Sequence, residues 1–101
     1  MFAVTRLRAP EEDGDALAAA VAALVAALST RPGFRDAELG RSADDPALWA
    51  LVTRWDGVGA YRRALSAAEV KITGAPVWVH AVDEPGVYLP SEDVARGGTE
   101  A

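Results

Sequence analysis

Residues Phe2 to Arg8 mix aromatic and β-branched side chains at alternating positions and stop before Pro10, a pattern that predicts a strand. Behind Asp13 and Asp15, either of which can cap, Leu17, Val21, Leu24, Val25 and Leu28 recur at helical spacing. The rest of that helix is mostly alanine, which favours the helix and lets another backbone come close. Thr30-Arg31-Pro32-Gly33 then suits a type II turn. Phe34 to Ser42 and Leu48 to Trp55 read as a hairpin joined by the turn residues Ala43-Asp44-Asp45-Pro46. Asp56 can cap a short helix carrying Val58, Tyr61 and Leu65 on one face. Ser66-Ala67-Ala68-Glu69 has the form of a capping box opening a further turn or two, which Gly74 would close. The last strand is expected at Val77 to Val82, between Pro76 and the turn-prone Asp83-Glu84-Pro85-Gly86.

The predicted order is βαββαβ, an α+β ferredoxin-like arrangement in which two right-handed crossovers lay both helices on one face of an antiparallel sheet. The third strand is apolar on both sides: Leu48, Ala50 and Val52 alternate with Trp49, Leu51 and Trp55. A sheet with one solvated face should instead alternate apolar with polar, so the open face is expected to pack on a second copy, as a homodimer.

Composition narrows the field. With 101 residues there is room for one core, expected over 1–90, followed by a flexible tail at 91–101. The net charge is −5 and spread along the chain, so no basic face favours nucleic acid. There is no cysteine, hence neither disulfide nor thiolate chemistry. The thirteen residues from Ala16 to Leu28 lack polar side chains, yet a membrane span needs about 20. Glu11, Glu12, Asp13 and Asp15 stand where a signal peptide would be basic, so a cytoplasmic protein is expected.

Candidate chemistry is sparse. There is no glycine-rich phosphate loop, and His80 is the only imidazole, so neither a nucleotide nor a histidine-rich metal site is expected. On its predicted strand His80 is either a hydrogen-bonded interface residue or a general base. Trp55, Tyr61 and Trp78 either pack the core or line an apolar small-molecule pocket, with Arg62, Arg63 and Lys71 near enough in sequence to rim it.

Several stretches, Thr30-Arg31-Pro32-Gly33-Phe34, Arg41-Ser42, Asp44-Asp45-Pro46, Leu51-Val52-Thr53-Arg54-Trp55 and Ala60-Tyr61, resemble the antibiotic biosynthesis monooxygenase superfamily. The resemblance covers residues 2 to about 83 and implies a dimeric α/β barrel built from two ferredoxin-like sheets. It further implies oxygenation of electron-rich aromatic or polyketide-type molecules with no metal or organic cofactor, in a pocket holding a Trp and a Tyr six residues apart, as Trp55 and Tyr61 are. Leu51 stands where those oxygenases carry an Asn, and Lys71 matches a basic residue beyond the helix. Haem-degrading relatives use a helical His that would fall near Ala64, so haem degradation is not expected. The residue reading and the resemblance together give Trp55, Tyr61 and His80 as catalytic candidates, and Leu51, Arg62, Lys71 and Trp78 as substrate-binding ones. A non-catalytic ligand-binding or structural dimer of the same fold is the alternative, favoured by Leu51.

Overall fold

The computed structural model describes residues 1–92. Strand β1 (Phe2–Arg8) leads through a single 3-10 turn into helix α1 (Gly14–Leu28). Strands β2 (Phe34–Arg41) and β3 (Leu48–Trp55) follow, then helices α2 (Val58–Ser66) and α3 (Ala68–Trp78), then a two-residue strand β4 (Val87–Tyr88). The sheet order is β2-β3-β1-β4 and every pairing is antiparallel. This is the ferredoxin-like topology expected from the order of elements.

The pairing sets the two faces. Ala3 pairs with Thr53, Thr5 with Leu51 and Leu7 with Trp49, while Ala37 and Leu39 of β2 sit opposite Thr53 and Leu51. Side chains of directly paired residues share a face, so these positions form one surface. Leu17, Val21, Leu24 and Leu28 of α1 and Val70 and Val77 of α3 close over it, forming a core with Leu7, Leu51 and Trp55.

Turn chemistry does much of the positioning. The hairpin bend is held by Ser42 Oγ, which accepts from the backbone N–H groups of Asp44 and Asp45, and by Asp45 Oδ1, which accepts from that of Ala47. The Ala47 bond, reinforced by Arg8, lowers the pKa of the Asp45 carboxyl. Gly33 has φ of 88°, and a Cβ there would lie 2.5 Å from that of Ala60, so the α1–β2 turn and α2 meet at a position only glycine fills without strain.

Several local expectations failed, most of them in the second half of the chain. Asp13 and Asp56 make no side-chain cap, Gly57 is the N-cap of α2, and the Ser66–Glu69 box does not form: Ser66 Oγ instead donates to the Arg63 carbonyl. Gly74 does not end a helix but lies buried inside α3, where its missing side chain makes room for the Trp78 indole. The strand expected at Val77–Val82 is corrected accordingly. Val77 and Trp78 complete α3, because Val70, Gly74 and Val77 fall on one helical face against α1, and that burial overrides the β-branched run. The fourth strand runs later and is broken: Ala81 bridges to Leu7, residues 83–85 bulge, and Val87–Tyr88 pair with Ala3 and Phe2. The expected tail, 91–101, falls outside the described residues from 93 onward.

Candidate active site

At the end of the sheet where β3 finishes, three aromatic rings meet on the helix side. Trp55 is 1% exposed, and Phe34, its partner on β2, stands edge-on to it at 5.3 Å between centroids. Alternation along β3 puts Thr53 on the same face, and its Oγ1 accepts from Trp55 Nε1 at 2.9 Å, satisfying an N–H that burial would otherwise leave unpaired. Only Asp56 and Gly57 separate Trp55 from α2, so Tyr61 is held against the indole, 5.7 Å away in a T-shaped contact. Burial raises the Tyr61 phenol above its ordinary pKa, so at neutral pH it carries its proton and acts as a donor, not a base.

On the helix side of the sheet there is also a groove between α1 and β2 of about 320 Å³, lined by Ala18, Val21, Ala22, Val25, Ala37, Glu38 and Leu39. It exists because Ala18 and Ala22 leave a gap between Val21 and Val25 where larger residues would reach the strand. Its floor continues inward, since Leu39 pairs with Leu51, which is 2% exposed. Glu38 is the one charged residue of the lining. The volume is at the small end of ordinary ligand sites.

The structure therefore brings Trp55, Tyr61 and Leu51 to one side of the sheet. Arg62 and Arg63 on α2 and Lys71 on α3 are exposed. Trp78 folds back over Gly74 at the end of α3, and His80 lies two residues further on, Nδ1 3.2 Å from the Arg8 carbonyl. Arg8 and the Trp55-bonded Met1 are seven residues apart on β1, about 23 Å of strand, so His80 is not near the aromatic cluster. Phe34 was not among the candidates read from the sequence, and the turn residue Arg31 shows a further feature. Its half-buried guanidinium has an Nε covered from solvent without a hydrogen-bond partner. No sequence pattern marks such a residue, because its isolation depends on what its neighbours bind.

The model of one protein family, antibiotic biosynthesis monooxygenase, matches residues 1–73. The chain belongs to this family. Solved structures resemble it over most of its length: SnoaB, a cofactor-independent oxygenase from Streptomyces nogalater, superposes with a TM-score of 0.75 at 20% identity, covering 88% of this chain and 90% of its own. A proposed member from Nitrosomonas europaea gives 0.72 at 16% identity over 85% of this chain and 84% of its own. A conserved protein from Methanosarcina mazei gives 0.69 at 13% identity, with 85% and 84% covered. No curated protein matches the chain significantly. Among the described residues, no helix is long and apolar enough to cross a membrane, and no three His, Asp or Glu side chains gather as a metal site would require.

Proposed function

We propose that this protein is a cofactor-independent monooxygenase acting on an aromatic or polyketide-type small molecule, bound in the α1–β2 groove with its ring toward Trp55. An apolar groove between α1 and β2, on the same side of the sheet as the Phe34–Trp55–Tyr61 cluster, carries the reading; membership of the family and the likeness to SnoaB support it. In such a reaction the substrate supplies the electrons. A methylene beside the ring loses a proton; the resulting enolate passes one electron to dioxygen, and the radical pair joins to form a carbon–oxygen bond. Loss of the second methylene hydrogen, with cleavage of the O–O bond, leaves a carbonyl and releases water, so that CH2 and O2 become C=O and H2O. The protein's part is to position the ring, exclude water and stabilise charge. Tyr61, protonated at neutral pH, serves as a hydrogen-bond donor to the developing oxyanion.

The unit that does this is proposed to be a homodimer formed through the open sheet face. There the half-buried Phe2, Val4, Leu48, Ala50 and Val52 lie among the ion pairs Arg6–Glu84, Arg8–Asp45 and Arg54–Asp36. With those charges paired within one chain, two such faces can meet with little like-charge repulsion, Glu38 opposite Val52 being the acid there outside the ion pairs.

The test is oxygen uptake by metal-stripped protein with anthrones and dihydroxynaphthalenes. Uptake that falls at least tenfold in Tyr61→Phe is expected, the scale of one lost oxyanion donor. Binding of the same molecules without uptake would favour the non-catalytic ligand-binding reading, to which the apolar Leu51 also points.

A further inference from the structure

A second cleft opens between α1 and α3, away from the aromatic cluster. It holds about 250 Å³ and is lined by Asp13, Ala16, Leu17 and Ala20 at the start of α1, with Pro76 and His80 across from them. The lining is apolar except for one carboxylate and one imidazole. That imidazole is held in a single tautomer. The Arg8 N–H donates to the His80 carbonyl at 2.9 Å, and His80 Nδ1 lies 3.2 Å from the Arg8 carbonyl. A carbonyl only accepts, so Nδ1 carries the proton of the neutral ring and Nε2 is left as a bare acceptor. Among the described residues Nε2 has no hydrogen-bond partner, and it is open to solvent: the covered side-chain atoms without a partner are Arg31 Nε and Trp49 Nε1. Asp13 is equally unengaged, since it makes no cap bond and joins none of the four ion pairs among the described residues. Arg41, the cation beside the helix start, is taken up by the Pro46 and Glu11 carbonyls and by the face of Trp49.

An apolar floor with two acceptors and no donor suits a donor-rich cation. We infer that this cleft is a second small-molecule site, and that its ligands are protonated primary amines on a small apolar body, the ammonium bridging Asp13 and His80 Nε2. An ammonium has three N–H donors and no acceptor, so one group serves both partners. Anions are disfavoured, because Glu11, Glu12 and Asp15 add to Asp13 and outweigh the partial positive charge of the helix start. The volume lies below that of ordinary ligand sites, which limits the body to about one ring. No residue of this cleft lines the α1–β2 groove, so the inference stands apart from the proposed oxygenase reaction.

His80 is the only histidine, so its imidazole signals in a carbon–proton NMR spectrum identify themselves. The probes are benzylamine, its uncharged counterpart benzyl alcohol, and the anion benzoate. At about pH 8, where an ordinary imidazole is neutral, benzylamine is expected to shift the His80 signals saturably. Benzyl alcohol should bind about tenfold more weakly or worse, and benzoate should leave the signals unmoved. Asp13→Asn, which keeps the shape, should weaken benzylamine about tenfold, whereas Glu12→Gln, the same change of charge outside the cleft, should weaken it less than about twofold. Nitrogen shifts of the wild-type ring, a reading that needs no variant, should place the proton on Nδ1. Saturable benzylamine binding lost in Asp13→Asn alone would establish the site. No saturable shift, equal binding of the alcohol, no loss in Asp13→Asn, an equal loss in Glu12→Gln, or a proton on Nε2 would each overturn it.

Discussion

Strand β3 shows one backbone in two environments. Toward the helices, Leu51, Thr53 and Trp55 are buried against α1 and α3, and the one polar pair among them is hydrogen-bonded. Toward the other side, Leu48, Ala50 and Val52 are just as apolar but only half-covered, and Arg54 is engaged with Asp36. The helices complete the first face; the second is covered by no helix among the described residues. A strand this apolar on both sides fits the proposal that a second copy covers the face its own helices leave open.

The sharpest way to break the comparison is to place the same charge on adjacent residues. Leu51→Arg would bury an unpaired cation and should leave no cooperative unfolding transition by circular dichroism, since the cost of several kcal/mol rivals the stability of a small domain. Val52→Arg, one residue along, should retain a cooperative transition yet run as a monomer by light scattering at micromolar concentration, where the dimer proposal expects wild type to run as a dimer. A monomeric wild type would contradict the dimer proposal. Trp55→Ala should cost about 3–5 kcal/mol in urea denaturation, against less than about 1 kcal/mol for Ala50→Ser on the open face when measured in the monomeric background. Thr53→Val keeps the shape but strands the Trp55 N–H, and should cost about 1–3 kcal/mol by the same measurement.

The smallest effect concerns pH. Because Tyr61 has a raised pKa when folded, the unfolded chain ionises first, so its contribution is complete below the ordinary phenol value and is lost as pH rises through the folded one. Tyr61→Phe should therefore flatten the decline of melting temperature above about pH 10.

Much of this molecule could be read from its residues. The alternation of β1 and β3, the apolar stripe of α1 and the Pro32-Gly33 turn each state a local preference that the tertiary structure reinforces, and the open face announced itself in Leu48, Ala50 and Val52. The failure at Val77–Val82 has a physical cause: Pro76 and three valines argue for a strand, while the helical spacing of Val70, Gly74 and Val77 argues the opposite and wins through burial against α1. The site suffered from that error, since a strand there would have carried Trp78 and His80 along the sheet, whereas helix α3 leaves them at the end away from Trp55. Trp55 and Tyr61 were visible because a two-residue link fixes their distance.

The alanines of α1 have a consequence for how such a protein can diverge. The gap over β2 is set by Ala18 and Ala22, side chains outside the buried core of the domain. Substitutions there alter what the gap admits while the sheet, its register and the aromatic cluster stay as they are. Selection can explore new ligands one methyl group at a time on an unchanged scaffold.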